Sequence, residues 1–111
     1  EVTAYYSDER LKDFESTIPD ALDKVKKLNG YLYKENNVAR SLGYDNPNRQ
    51  AGVSAQEVQA VLPEVVVPSP VDSQYLTVKY DKLVPLLIEA IKEQQEQIES
   101  LQQTVIDIKN R

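Results

Sequence analysis

Apolar residues follow one another along this chain with two different periods, and the changes of period divide it into elements. In residues 16–30, STIPDALDKVKKLNG, Ile18, Leu22, Val25 and Leu28 stand three or four apart, on one face of a helix. Ser16 and Thr17 offer a start, Pro19 suits a first turn and Gly30 a stop, so the span predicts a helix. YLYK, residues 31–34, alternates as a short strand does. Residues 35–50, ENNVARSLGYDNPNRQ, lose all period, are rich in Asn and carry Gly43 and Pro47, which predicts a loop or protruding arm. Order returns in AGVSAQEVQAVLPEVV, where Ser54 and Glu57 have capping-box spacing, Val58, Val61 and Leu62 form a buried side, and Pro63 ends the helix. VLPEVVVPSP is bounded by prolines and predicts an extended segment; YLTVKY, residues 75–80, alternates as a strand.

The last element is helical from Lys82 onward, with Asp81 as its expected cap and Pro85 in the first turn, where backbone N–H groups lack intrahelical partners. Val84, Leu87, Ile91, Gln94, Ile98, Leu101, Val105 and Ile108 recur at alternating spacings of three and four, a heptad seam with one polar interruption. From Leu83 to Ile91 apolar residues also spread off the seam, which predicts burial in a body; beyond Ile91 a narrow stripe remains, too narrow to be hidden by one small domain. Self-association through that stripe is expected, the alternative being a helix folded back on its own domain. Gln95, Gln97 and Gln102 flank it, so ion pairs do little to select partners, and parallel identical chains are the simplest arrangement. Val and Ile at one seam position with Leu at the other favour dimers, while Ile108 and Gln94 leave trimers open.

At 111 residues the chain fits one domain. A chain beginning at Glu1 and lacking Met altogether reads as the C-terminal part of a longer protein. Net charge −5 argues against a nucleic-acid groove, and no apolar run approaches the ~20 residues that span a bilayer. The absence of Cys and His removes thiolate and imidazole chemistry and the usual metal-ligand sets, so no metal or cofactor is expected. Chemistry, if present, falls to Ser, Thr, Lys, Tyr and carboxylates.

One stretch stands out for that reason: YYSDERLK, residues 5–12, with Ser7 five positions before Lys12. By itself it reads as a Ser7 or Asp8 cap on a short solvated helix. Joined to AQEV, the LPE that follows, and the Y-D-x-L-x-P-x-L-x-E-A-I-K run of residues 80–92, it resembles the endosialidase-type intramolecular chaperone family. These are self-cleaving C-terminal domains of bacteriophage tail spikes and tail fibres, with relatives among transcription factors similar to myelin regulatory factor. The resemblance extends from Ser7 to about Gln94.

The resemblance implies an α+β, mainly helical fold: a small body with short strands over 7–80, an arm near 35–50 that embraces the stalk, and a long helix over 81–111 forming a parallel homotrimeric coiled coil. Residues 1–6 would end the upstream fibrous segment of the same polypeptide, which the trimer aligns in the host cytoplasm during virion assembly. It also implies autoproteolysis at the Tyr6–Ser7 bond, with Ser7 as nucleophile and Lys12 as base. A non-cleaving trimerisation domain and a Ser–Lys hydrolase acting on separate substrates are the alternatives.

The residues set conditions on that chemistry. A free lysine has a pKa of ~10.4, so about one amine in a few thousand is neutral at pH 7, and desolvation is the natural way to change this. Leu11 and Phe14 are at hand as apolar cover if another chain closes over them, whereas Asp8, Glu9 and Asp13 oppose the neutral amine unless they face solvent. On a regular helix a spacing of five sets two residues ~140° apart. The pair therefore requires either an intervening turn or a lysine from another subunit.

Overall fold

The computed structural model describes residues 6–111. The expected upstream segment, 1–6, lies outside the described residues except for Tyr6. A single 3-10 turn, Glu9–Leu11, is followed by extended chain and then by α1 (Ala21–Lys26), β1 (Tyr31–Tyr33), α2 (Asn37–Ser41), β2 (Gln50–Gly52) and α3 (Ala55–Val61). A second 3-10 turn (Pro63–Val65) leads into β3 (Val66–Pro68) and β4 (Leu76–Val78), and a third (Tyr80–Leu83) into α4 (Val84–Lys109). The strands make two separate antiparallel hairpins, one pairing Leu32 with Ala51 and the other Val67 with Thr77.

The predicted helix over 16–30 is shorter than its apolar period suggests. Pro19 disfavours helical geometry at Ile18, and Asp20 adopts a left-handed conformation with φ 51°, so α1 begins only at Ala21. Asp20 makes no side-chain cap. Instead Glu93, far along α4, accepts a 2.7 Å hydrogen bond from the Leu22 N–H through Oε2 and supplies the missing partner. Ile18, Leu22, Val25 and Leu28 nevertheless pack against the core as the pattern predicts. Asp81 is likewise not the cap of the last helix: the third 3-10 turn runs directly into α4, with Leu83 already in helical geometry, while Pro85 does lie in the first turn.

The segment 35–50 contains a helix the sequence did not announce. Asn36 Oδ1 accepts from the Ala39 N–H at 2.9 Å and opens α2, and Gly43, at φ 101°, lets the chain turn away after it. Where α3 begins, Ser54 Oγ accepts from the Glu57 N–H at 3.3 Å. The Glu57 carboxylate does not complete a reciprocal capping box. It accepts from Tyr31 Oη at 2.6 Å and from Asn29 Nδ2 at 3.2 Å, tying the first hairpin to α3.

The buried core is Ala21, Val58, Leu62, Val65, Leu86 and Ala90, drawn from α1, α3, the turn after it, and the first turns of α4. Its fully buried large side chains are Leu86 and Val58. A 111-residue globule has a radius of gyration of ~13 Å, whereas this chain has 19.2 Å and extends 66 Å along its major axis. The excess comes from α4, whose later turns run on beyond the last buried residue, Ala90.

Candidate functional site

The turn that carries the serine and the lysine is built from strictly local forces. Asp8, in extended geometry, caps the 3-10 turn by accepting the Arg10 N–H through Oδ1 at 2.9 Å. Within the turn Leu11 N–H reaches Asp8 O at 3.0 Å and Lys12 N–H reaches Glu9 O at 3.1 Å. Lys12 then leaves the turn in extended geometry. At about three residues per circuit the 3-10 turn carries the chain once around over Glu9–Leu11, and with Asp8 and Lys12 extended on either side the Ser7 and Lys12 side chains converge. Lys12 Nζ donates to Ser7 Oγ at 3.0 Å. Within one chain the intervening turn is enough to make this contact.

Around the pair the structure is open. Lys12 is half-buried, and its ammonium lies 5.9 Å from the centre of the Tyr6 ring. Leu11 and Phe14, the anticipated apolar cover, are 68% and 74% exposed and cover nothing within one chain. Phe14 borders a groove of about 520 Å³ formed with Ile18, Pro85 and Ile88, so an apolar recess lies on the body beside the segment that leaves the turn.

Asp8, the carboxylate nearest Ser7 in the chain, is taken up by Arg10. Arg10 Nε donates to Asp8 Oδ1 at 3.0 Å and Nη2 to Oδ2 at 2.7 Å, a fork closed on both carboxylate oxygens. These side-chain bonds, with the backbone N–H of Arg10 second, hold the Asp8 carboxyl below the usual carboxylate range. The same pairing raises the Arg10 guanidinium above its ordinary value. Sequence reasoning treated Asp8 as a charge that opposes a neutral lysine and did not provide it with this partner. The signal was present as D-x-R within the turn.

The seam residues of α4 form a continuous uncovered stripe. Val84, Leu87, Ile91, Gln94, Ile98, Leu101, Val105 and Ile108 are all exposed in the single chain, Ile91 at 64% and Leu101 at 66%. Ile106 lies beside the distal end of the stripe and widens it. Leu86 and Ala90, on another side of the same helix, are buried against the body, so the first turns of α4 present one face inward and the seam outward.

Among the described residues no cluster of acidic side chains is placed to hold a metal ion, and no helix is long and apolar enough to cross a membrane. Residues 7–67 match the family described as Chaperone of endosialidase. The chain belongs to this endosialidase-chaperone family. Its match starts at Ser7, the first residue after the Tyr6–Ser7 bond, and takes in the turn, α1, the first hairpin with α2, α3 and the start of β3. Beyond the family match, the chain is 41% identical over 88 residues to the long tail fiber protein Gp37 of Enterobacteria phage K3, covering 78% of this chain. The corresponding protein of Enterobacteria phage T2 is also 41% identical over 88 residues, and that of Escherichia phage AR1 36% over 87 residues. The chain spans only 6–8% of the length of these curated relatives. As a member of the endosialidase-chaperone family it therefore corresponds to a small portion of such fibre proteins.

Proposed function

We propose that this chain is the chaperone portion of a phage tail fibre protein, which trimerises through α4, aligns the upstream fibrous segment of the same polypeptide, and then severs the Tyr6–Ser7 bond. Membership of the endosialidase-chaperone family and the similarity to long tail fiber proteins support the assembly role. The observation that carries self-cleavage is the 3.0 Å contact between Lys12 Nζ and Ser7 Oγ, directly after the bond to be cut.

In this reading Ser7 Oγ attacks the Tyr6 carbonyl carbon through a small cyclic transition state, a geometry favoured because nucleophile and electrophile are adjacent in the chain. Lys12, as the neutral amine, takes the hydroxyl proton, and that proton is returned to the Ser7 nitrogen as its bond to the Tyr6 carbonyl breaks. The product is an ester between the Tyr6 carbonyl and Ser7 Oγ, with a free amine at Ser7. Water hydrolyses the ester, leaving a Tyr6 carboxylate and restoring the serine hydroxyl.

The ammonium as it stands donates to the hydroxyl, so the base must first lose its proton, and desolvation is what favours that loss. Leu11 and Phe14 are uncovered in one chain, and the groove beside Phe14 reaches Pro85 and Ile88 in the first turns of α4. A neighbouring copy packed along α4 closes over this region and excludes water from the pair. Cutting then waits for assembly. Release of the chaperone removes the clamp that aligned the three fibre strands and leaves the fibre kinetically trapped in its folded form.

The test is the intact mass of the chain carrying its upstream segment. The unaltered protein yields two fragments divided at Tyr6–Ser7, and Ser7→Ala and Lys12→Ala each yield one uncut chain. Division of the Ser7→Ala protein at the same bond overturns the mechanism. Uncut wild-type chain under all conditions favours a purely structural trimerisation domain instead.

A further inference from the structure

The Asp8–Arg10 fork makes three demands on a turn of three residues that stability alone does not explain. Arg10 is almost wholly exposed and Asp8 close to half, and ion pairs in such positions contribute little to folding. Yet the pair engages both carboxylate oxygens, and Asp8 also accepts the Arg10 N–H, so the carboxylate is held by backbone and side chain of one residue. Its position is the notable feature: Asp8 follows the residue whose hydroxyl meets Lys12, and caps the turn that Lys12 ends.

We infer that Arg10 is a positioning and charge-cancelling residue for the Ser7–Lys12 pair, holding Asp8 in its capping geometry while neutralising the carboxylate that would otherwise keep the Lys12 ammonium protonated. This inference rests on the proposed self-cleavage. A carboxylate left unpaired beside an amine favours its charged form, whereas a carboxylate closed in a guanidinium fork presents little net charge. The other charged groups close to Lys12 in the chain are Glu9 and Asp13, and the aromatic neighbour in space is Tyr6, 5.9 Å from the Lys12 ammonium. Among the described residues no ion pair joins residues 6–13 to another element of the same chain. Arg10 touches neither reacting atom; it acts through Asp8.

The inference separates charge from shape because Asn caps a helical turn about as well as Asp but carries no charge. The experiment measures the pH dependence of self-cleavage in the full chain with its upstream segment, for wild type, Arg10→Gln, Asp8→Asn and the double variant. Arg10→Gln moves the midpoint of the profile to higher pH by about half a unit and slows cleavage near neutrality about threefold. Asp8→Asn moves it the other way, and the double variant returns close to wild type. The Arg10→Gln displacement shrinks at high salt.

In the uncut Ser7→Ala chain, the Lys12 side-chain titration followed by NMR shows the same ordering without relying on cleavage. Arg10→Gln that slows cutting with an unmoved profile, and an unmoved Lys12 titration, reduces Arg10 to a structural role and overturns the inference while leaving the Ser7–Lys12 mechanism intact. Cleavage that persists in Ser7→Ala overturns that mechanism, and with it the catalytic purpose assigned to the fork.

Discussion

The two ends of α4 are made from similar residues and are treated in opposite ways by the fold. At its start Leu86 is 0% exposed and Ala90 is buried, both against a body that includes α1, and Glu93 completes the N-terminus of α1. Towards its end Ile98, Leu101, Val105 and Ile108 lie open along one stripe, with nothing from the same chain against them. One end is folded by its own chain; the other carries apolar surface whose burial requires a second source. The Ser7–Lys12 turn belongs with the second kind. Its hydrogen bonds are local, but Leu11 and Phe14 beside it remain uncovered. A single chain thus folds its body fully and leaves two regions, the seam and the turn, formed but unsheltered.

The sharpest way to break that comparison is to cut back one residue at each end. Leu86→Ala removes a fully buried side chain and is expected to cost about 2–5 kcal/mol, read by denaturant unfolding. Leu101→Asp is expected to leave the body's secondary structure unchanged by circular dichroism and to abolish the proposed self-association in sedimentation; a body that unfolds on this substitution would erase the distinction between the two ends. Glu93→Gln weakens the bond to the Leu22 N–H and is expected to lower stability by about 1 kcal/mol, a fall of roughly 4–8 °C in melting temperature for a domain of this size.

The smallest effect is expected at Tyr31. Its hydrogen bond to Glu57, assisted by desolvation and the nearby carboxylate charge, pushes the phenol above its ordinary value of 10.0. A group whose ionisation is raised by folding contributes fully below its unfolded value and loses that contribution as pH climbs through its folded one. The first hairpin is therefore expected to loosen above pH 10. Tyr31→Phe is expected to remove this raised phenol from the ultraviolet titration and, with it, the alkaline loss of hairpin protection in hydrogen exchange; an unchanged titration curve would show that Glu57 does not hold this phenol.

Much of the body was legible because its signals are local. The alternation of YLYK and YLTVKY marked β1 and β4, and Ser54 with the Val58–Leu62 spacing marked α3 and its buried side. Where the sequence misled, a distant or conformational partner decided the outcome. Residues 16–20 carry helix-like punctuation, but α1 is completed by Glu93, more than seventy positions away, and no local pattern reports such a bond. Glu57 reads as half of a capping box until Tyr31 claims it. Gly52 has no local cue either: a Cβ there would meet Tyr80 Oη at 2.9 Å and the Tyr33 ring at 3.0 Å, a crowding that exists only once the hairpin is docked.

At the site, helical geometry alone set Ser7 and Lys12 on different sides. Their meeting depends on a turn of only three residues, whose Asp8 cap was visible in the sequence but whose 3-10 path and Arg10 fork were not.

In the proposed mechanism the pair is built within one chain and becomes active only under cover of others. The direct measurement is the first-order rate of division at Tyr6–Ser7 as chain concentration is lowered through the range where sedimentation shows the assembly dissociating. The rate is expected to fall with the assembled fraction and to vanish for Leu101→Asp. A rate that stays constant as the assembly comes apart would contradict that mechanism.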